Sequence, residues 1–323
     1  MYFCIKEKSL ALYKLNILKN MEPLLSICIP IYNRSRFLEK MLERFMEDKS
    51  LFLKDIELII SDNCSSEDLE LIVDNFREKG LTVSYNRNES NIGASGNFLY
   101  CFKHAKGKYC WLLGSDDIPV PGVLKKILLL LESNNYGLFH INCYDCKKEN
   151  LKEFDDKQEF LSTIGYWITF MSSNIIRSEF INSVDHTRYL ETHLIQVPYY
   201  LDSCLNSNKN AIFTCNVFEQ ENDFSNNGGY NIFEVFAGNL FAIYAHYVDK
   251  GLINKITYNK LLKNEFKDLL FRYIVNLLIF KKKSNYKLDN AWNILWRYYR
   301  FKPYFYLEVF IKLGKRIKNI LKI

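Results

Sequence analysis

Residues 24–34 read LLSICIPIYNR, and the first secondary-structure elements can be predicted from this stretch. Its first eight residues, 24–31, are apolar apart from Ser26. A short apolar run without alternation is typical of a strand that is buried on both faces of a sheet. Asn33 then offers a helix cap, and apolar residues recur behind it at helical spacing, namely Phe37, Leu38, Met41, Leu42 and Phe45. The stretch therefore predicts a buried strand that leads into a helix.

The same alternation continues along the chain. Further strands are predicted at 56–60, 81–85, 108–113 and 138–143, with helices between them. Ser65 or Ser66 is expected to cap the helix that follows the second strand. Strands and helices that alternate at this spacing predict an α/β fold with an open, mostly parallel sheet and helices on both faces. Residues 164–176 read as a strand or a buried loop, and the chain from Phe233 onward reads as mostly helical.

Polar clusters follow three of the predicted strands, at residues 30–34, 61–63 and 114–117. In an open parallel sheet, ligands bind beyond the carboxyl ends of the strands, so the three clusters are expected to share one pocket. Asp62 can accept a hydrogen bond from the edge of a nucleotide base, and the backbone near Tyr32 can line the ring. Helix capping is the alternative explanation for some of these polar residues.

Asp116 and Asp117 are adjacent carboxylates directly after the strand YCWLL. Two carboxylates at this distance repel each other, so the pair favours a bound cation. Oxygen ligands suit Mg²⁺ or Mn²⁺, and bound phosphates would complete the coordination shell. The metal would then neutralise the charge that develops on a diphosphate leaving group.

Four motifs in order carry a resemblance to a known family: IPIYNR, IISDNCSSED, NRNESNIGASGNF and YCWLLGSDDIPVPG. Together they resemble the family-2 glycosyltransferases of the GT-A fold, over about residues 24–131. The segments NIGASGNF, WLLG and FMSSNIIR are most similar to the abequosyltransferase-like branch, whose enzymes build bacterial surface polysaccharides. The resemblance implies a nucleotide-binding GT-A sheet of mixed strand direction, flanked by helices, with a mainly helical C-terminal part.

The resemblance also implies site residues and a domain organisation. A nucleotide-sugar donor would be bound by Pro30, Tyr32, Arg34, Asp62, Asn63, Arg87, Asn91, Gly93 and Asp116. The metal would be held by Asp116 and Asp117. Residues 1–22 would be an extension, 23–228 the catalytic domain with a donor half (23–132) and an acceptor half (133–228), and 229–323 a basic helical region. Many relatives carry one more Asp just ahead of the pair, where this chain has Gly114 and Ser115, which predicts weaker metal binding.

An inverting transfer needs a general base near the acceptor hydroxyl. In the family this base lies in the acceptor half, and the candidates here are Glu191 and His193 in YLETHLIQ, with Asp202 further on. If residues 190–195 are helical, Glu191 and His193 do not share a face, and only one of them points inward. The alternatives are a structural histidine and a solvated glutamate.

The charge is unevenly distributed. The chain has a formal net charge of +6, and residues 281–323 hold twelve Lys and Arg but two Asp and Glu, a local balance of +10 that leaves −4 for the rest. Apolar residues form one helical stripe near the C-terminus, namely Phe310, Leu313, Ile317, Ile320 and Leu321. A basic helix with an apolar face predicts peripheral binding to an anionic membrane, here the inner face of the cytoplasmic membrane. The alternative is a solvated basic helix packed on its own domain.

Two other functions compete with sugar transfer to a saccharide or lipid-linked saccharide acceptor. A nucleotidyltransferase also places carboxylates and metal at strand ends, but it normally has a glycine-rich basic loop where this chain has IPIYNR. A non-catalytic nucleic-acid-binding protein could use the basic tail, but the sequence shows no module signature and no interleaving of aromatic and basic residues. No nucleic-acid partner is therefore expected.

Overall fold

The computed structural model describes residues 22–144, 146–219, 229–308 and 310. The chain divides into two compact units, and in each unit only residues from these ranges are described. The first comprises Met1–Lys157, Phe170–Arg188 and Ile195–Glu221, and the second comprises Gln158–Thr169, Tyr189–Leu194 and Asn222–Ile323. Residues 1–21 of the predicted N-terminal extension and residues 311–323 of the predicted apolar stripe lie outside the described residues.

The first unit is built on one eight-stranded sheet with the order β3-β2-β1-β4-β7-β5-β8-β6. The strands are β1 Leu25–Ile31, β2 Ile56–Asp62, β3 Ser84–Arg87, β4 Tyr109–Leu112, β5 Leu138–Asn142, β6 Asn150–Phe154, β7 Asn174–Arg177 and β8 Asn210–Thr214. Strands β3, β2, β1 and β4 are parallel neighbours, whereas β7 runs antiparallel to β4 and β5, and β6 runs antiparallel to β8. The predicted open sheet of mixed strand direction is confirmed.

Helices follow the strands and cover the sheet. They are α1 Ser35–Glu47, α2 Leu69–Glu78, α3 Gly93–His104, α4 Val123–Glu132 and α6 Gln196–Asn206, whereas α5 Lys157–Ile164 belongs to the second unit from Gln158 onward. In α1 four of the five apolar residues at helical spacing are fully buried and belong to the core with the strands, namely Leu38, Met41, Leu42 and Phe45, whereas Phe37 is half-buried. Six of the seven residues of β1 are buried, as expected of a strand with helices on both faces.

The described part of the second unit is almost entirely helical. Its helices are α7 Leu240–Asp249, α8 Lys255–Glu265, α9 Phe271–Tyr273 and α10 Ala291–Tyr299, together with three π-helical segments at Glu234–Asn239, Phe266–Leu270 and Ile274–Ile279. This confirms the predicted helical C-terminal part. Across the ranges described, no helix combines the length and the apolarity needed to cross a bilayer. The predicted domain boundaries stay a prediction.

Local details differ from the sequence-based expectations. Asn33 does not cap a helix, because it has a φ of +51° and its side-chain oxygen accepts the backbone N–H of Ser66 at 2.8 Å. Asp68 caps α2 in place of Ser65 or Ser66, accepting the N–H of Leu71 at 3.1 Å. The third strand begins three residues later than predicted. In the range 164–176, predicted as a strand or a buried loop, residues 164–173 form mainly helical turns and residues 174–176 belong to β7. Short polar residues near a helix start have several hydrogen-bonding options, so sequence alone does not select among them.

Candidate active site

The carboxyl ends of β1, β2 and β3 lie side by side. Ile31 is in register with Asp62, and Asp62 with Arg87. Backbone hydrogen bonds continue past the strands, from the N–H of Asn63 to the Ile31 carbonyl at 2.9 Å and from the N–H of Asn88 to the Asp62 carbonyl at 2.8 Å. The loops after these strands therefore leave the sheet from one edge, which brings their polar residues together.

Asp62 is fully buried at this edge, and both of its carboxylate oxygens are engaged. Oδ1 accepts from the backbone N–H and the hydroxyl of Ser65 at 2.9 and 2.5 Å, and Oδ2 accepts from the Tyr85 hydroxyl at 2.8 Å. Burial, followed by the bond to Asp62, raises the pKa of Tyr85 well above its usual value, so the phenol stays a donor. Arg87 lies 3.9 Å from Oδ2. A nucleotide base that binds Asp62 must therefore compete with Tyr85 or use a remaining lone pair.

A network of amide side chains holds the next loop. Asn63 donates to Oδ1 of Asn91 at 2.9 Å and accepts the N–H of Ile92 at 2.9 Å, while Asn91 Oδ1 also accepts the N–H of Gly93. Gly93 begins α3 with a φ of +74°, which favours glycine, and a Cβ there would meet no atom within 4 Å. Asn63 and Asn91 are predicted to bind the nucleotide. In the structure their side chains hold the loop that leads into α3 through these hydrogen bonds.

The segment after β1 reaches toward the carboxylate pair. Tyr32 is half exposed, and Pro30 is partly buried. Arg34 forms an ion pair with Asp116, with Nη1 2.8 Å from Oδ2, and both side chains are partly open to solvent. This contact joins the ends of β1 and β4. The cluster around Asp62 follows β2, the strand next to β1, so the three predicted clusters lie along one edge of the sheet.

The two carboxylates of the pair have different environments. Asp117 is mostly buried, and this burial raises its pKa to about 6 against the lowering effect of a hydrogen bond from Ser172. The charge of Asp116 raises the pKa further, and Arg34 opposes this. Ser172 Oγ donates to Asp117 Oδ2 at 2.5 Å and accepts the N–H of Gly114 at 2.9 Å. Asp117 is therefore held in place, whereas Asp116 is more exposed.

Gly114 leaves room for this arrangement. A Cβ at this position would lie 2.6 Å from Oδ2 of Asp117 and 3.2 Å from both Asp116 Oδ1 and Ser172 Oγ. A contact of 2.6 Å is far inside van der Waals distance, so any larger residue would displace the buried carboxylate. With Asp117 in this position, only glycine fits at residue 114.

The donor set fits a hard divalent cation only in part. Within the described ranges, no group of three or more His, Cys, Asp or Glu residues could hold a metal ion. Asp116 and Asp117 each use one oxygen for Arg34 or Ser172, which leaves one oxygen apiece. Mg²⁺ typically binds through one or two carboxylates plus substrate phosphates, so two protein oxygens suit it when a diphosphate supplies the rest.

The candidate bases belong to different units. Glu191 and His193 are exposed and belong to the second unit. Residues 190–195 are not one helix, because the 3₁₀ segment His186–Thr192 ends before His193, which has a φ of +58°. Asp202 belongs to the first unit, where it is buried in α6 and accepts a hydrogen bond from Ser183 at 2.8 Å. None of the three contacts Asp116 or Asp117 among the described interactions.

Sequence reasoning missed three residues that shape this edge: Tyr85, Asn97 and Ser172. Asn97 is buried in α3, where its Nδ2 donates to the Ser61 carbonyl at 2.9 Å. The sequence offers one indication of this role, because Asn97 is a polar residue on the face of α3 that packs on the sheet. Ser172 is distant in sequence from the pair, and its carbonyl accepts the indole N–H of the buried Trp111 at 2.8 Å. No spacing rule connects residue 172 with Asp117.

Two bacterial proteins are similar to the chain over part of its length. The abequosyltransferase RfbV of Salmonella typhimurium is 42% identical over 95 residues, which are 29% of this chain and 28% of that protein. The GalNAc(5)-diNAcBac-PP-undecaprenol beta-1,3-glucosyltransferase of Campylobacter jejuni is 32% identical over 139 residues, or 42% and 43% of the two chains. The matched region thus spans less than half the length of either relative.

Solved structures share the fold at low sequence identity. TarS of S. aureus, residues 1–349 in complex with UDP-GlcNAc, aligns with a TM-score of 0.60 at 14% identity, over 86% of this chain and 80% of that one. The mannosyltransferase PcManGT of Pyrobaculum calidifontis, in complex with GDP-Man and Mn²⁺, aligns with a TM-score of 0.51 at 11% identity, over 80% and 77%.

A family match covers the region that holds the candidate site. Residues 26–191, which are more than half of the chain, match the glycosyl transferase family 2. The match covers the strand ends that carry Asp62, Asp116 and Asp117, and it extends through Ser172. The chain belongs to glycosyl transferase family 2.

Proposed function

We propose that the protein transfers a sugar from a nucleoside diphosphate sugar to a saccharide or lipid-linked saccharide acceptor, with inversion, in bacterial surface polysaccharide synthesis. One observation carries this proposal. The ion pair between Arg34 and Asp116 links the end of β1 to a carboxylate pair, beside the polar cluster around Asp62. Groups whose chemistry suits a base and a diphosphate thus line the edge of the sheet where α/β folds bind nucleotides.

The nucleoside would be recognised by the residues around the ends of β1, β2 and β3. Asp62 and Asn63 organise the pocket and offer acceptors and donors to the base, and Arg87 and Asn91 stand beside them. Pro30 and Tyr32 would line the ring. Gly93 opens α3, whose first backbone N–H groups have no helical partner and favour an anion.

The diphosphate would be held by Arg34 and by the carboxylate pair. Asp116 and Asp117 would bind Mg²⁺ or Mn²⁺, which supplies positive charge to the leaving diphosphate. Support comes from the Mn²⁺ bound to the structurally similar mannosyltransferase and from the chemistry of the donor set. Ser172 keeps Asp117 oriented, and a proton competes for the same carboxylate because its pKa is raised to about 6.

The acceptor hydroxyl needs a base to take its proton. Glu191 and His193 are our candidates because both are exposed and can meet a substrate. Asp202 ranks behind them, since its carboxylate is buried and accepts from Ser183.

A lipid-linked acceptor would place the enzyme at a membrane. The related Campylobacter protein is named for a PP-undecaprenol substrate. In the described residues, Trp292, Trp296, Phe301 and Phe310 are exposed in a region that is rich in Lys and Arg. Aromatic and basic residues together favour an anionic lipid surface. We therefore propose a cytoplasmic enzyme that binds the inner face of the membrane peripherally through its C-terminal region.

The test is release of nucleotide from a panel of nucleotide sugars, with and without Mn²⁺. Transfer or slow hydrolysis of a nucleotide sugar releases a nucleoside diphosphate. A nucleotidyltransferase instead releases pyrophosphate from a nucleoside triphosphate and a sugar 1-phosphate, so this second substrate pair is supplied in a parallel assay. We expect diphosphate release that requires metal and is lost in Asp117→Asn but kept in Asp249→Asn, which changes an exposed carboxylate of the second unit. Pyrophosphate release, or full activity in Asp117→Asn, would contradict the proposal.

A further inference from the structure

A polar cavity of about 780 Å³ opens within the helical second unit. Its walls come from the π-helical segment Glu234–Asn239, from residues 287–290 and from α10, and we call it the helical-unit groove. His193, one of the candidate bases, also lines it. Its volume lies in the range of pockets that bind small ligands.

Small residues give the groove its depth. Gly238 and Ala242 both line it, four residues apart. A Cβ on Gly238 would lie 3.9 Å from Glu234 Cγ and from Ile294 Cγ2, so alanine fits there, whereas a larger side chain would fill the groove. The Tyr298 hydroxyl donates to the Gly238 carbonyl at 3.2 Å and ties α10 to the π-helical segment. Such π-helical segments occur frequently at functional sites.

The loop wall of the groove is fixed by one buried side chain. Asn231 accepts the N–H groups of Phe233 and Glu234 at 3.1 and 3.2 Å, and its Nδ2 donates to the Asp289 carbonyl at 2.6 Å. Asn290 follows with a φ of +54°. The backbone that presents the Asp289 carboxylate is therefore held before any ligand arrives.

Several polar side chains of the groove are available to hydrogen-bond with a ligand. In the part of the chain that the structure describes, no hydrogen bond or ion pair involves the side chains of Glu234, Lys287, Asp289 or Asn293. Together with Arg297 they supply two cations, two carboxylates and an amide, so the formal charges cancel. A phosphate needs an excess of donors and positive charge, whereas a hydroxyl group both donates and accepts. The balance thus favours a polyhydroxyl ligand without net charge.

Two stacked aromatic side chains also line the groove. The Tyr230 ring stacks with His193 at a centroid distance of 6.0 Å, and both line the groove. Aromatic rings with a polar edge suit ligands that have an apolar face and a polar rim, as a pyranose does. We infer that the helical-unit groove binds an uncharged oligosaccharide, namely part of the acceptor chain. Its identity as the acceptor rests on the proposed function, whereas the binding itself does not.

The inference is tested by saturation-transfer NMR and calorimetry with linear tetrasaccharides of glucose, galactose, mannose and N-acetylglucosamine. Gly238→Leu fills the groove, and Gly238→Ala is its matched control. Arg297→Ala removes a lining cation, and Arg300→Ala removes one that does not line the groove. We expect at least one tetrasaccharide to bind the unmodified protein and both controls, and to bind Gly238→Leu and Arg297→Ala at least ~10-fold more weakly, about 1.4 kcal/mol.

Three results overturn the inference: no tetrasaccharide binds at about 10 mM, where even weak ligands register; binding is unchanged in both groove variants; or UDP competes for the groove. Arg297→Ala changes an exposed side chain, so it decides the question if Gly238→Leu does not fold. Hydrolysis of nucleotide sugars without acceptor is measured in parallel. Oligosaccharide binding without donor hydrolysis refutes the proposed function and leaves the groove standing, and the reverse result refutes the groove alone.

Discussion

Replacing Asp117 by Asn should stabilise the metal-free protein at neutral and alkaline pH. The carboxyl is mostly buried, and its pKa is raised from 3.8 to about 6, mainly by that burial. The folded state therefore binds this proton more tightly than the unfolded chain does. The resulting stabilisation is fully present below about pH 4 and is lost as the pH rises to about 6 and beyond. Asparagine carries no charge at any pH and still accepts the Ser172 hydroxyl.

The magnitude follows from the two pKa values. Proton affinity differs by about two orders of magnitude, and each tenfold change is worth about 1.4 kcal/mol, which gives ~3 kcal/mol at pH 8. Because the side chain is partly exposed, water reduces the cost of burying its charge. We therefore expect Asp117→Asn to raise the free energy of unfolding at pH 8 by roughly 1.5–3 kcal/mol. Asp116→Asn is the matched control. It removes a more exposed carboxylate that is paired with Arg34, and it should change stability by less than about 1 kcal/mol.

Urea unfolding of the metal-free variants at pH 4.5, 6 and 8 measures the effect. The free energy of unfolding of Asp117→Asn should exceed that of the unmodified protein most at pH 8 and least at pH 4.5. Saturating Mn²⁺ with a nucleoside diphosphate should reduce or reverse the difference, because the ligand stabilises only the form that binds it. A gain that is equal at all three pH values, or a loss at pH 8, would refute the reasoning.

Three further predictions follow from the same geometry and from the charge distribution. Gly114→Ala should lower turnover at least ~10-fold, since Asp117 must move, whereas Gly238→Ala should leave turnover of the same donor unchanged in a nucleotide-release assay. Glu191→Gln or His193→Ala should lower turnover by about 10²–10⁴-fold without changing donor affinity in calorimetry, and normal turnover in both would place the base elsewhere. Deleting residues 311–323 should weaken salt-sensitive binding to anionic liposomes while donor hydrolysis persists, and unchanged liposome binding would exclude a membrane role for this segment.

Periodic features of the sequence predicted most of the fold. The apolar run that became β1 and the helical spacing behind it are local signals, and so is the alternation through residue 143. The strand β7 is different. It lies antiparallel between β4 and β5, although β6 and α5 separate it from β5 in the sequence. Its pairing depends on contacts between residues far apart in sequence, and no local period records them. The mixed direction of the sheet came from the family resemblance instead.

The same distinction explains what was found and missed at the site. Asp62 ends β2, and the carboxylate pair lies shortly after β4, so their position at the edge of the sheet could be inferred from the strands alone. Tyr85 and Ser172 reach that edge from other elements, and only their three-dimensional positions show that each donates to one of these carboxylates. The assignment of a general base remains a prediction, because Glu191 and His193 belong to the second unit, whereas the carboxylate pair belongs to the first.

Asp116 and Asp117 are adjacent in sequence, but they differ in how freely each carboxylate can change partners. Asp117 is anchored by Ser172 and has little freedom, because Gly114 provides the space that it fills. Asp116 is partly exposed, and its partner Arg34 is a cation that a diphosphate can also bind. On the proposed function, arrival of the donor would let Arg34 exchange its carboxylate for phosphate oxygens and free Asp116 for the metal. Before the donor binds, the ion pair holds Arg34 and Asp116 in place, and the Arg34 charge offsets part of the repulsion between Asp116 and Asp117.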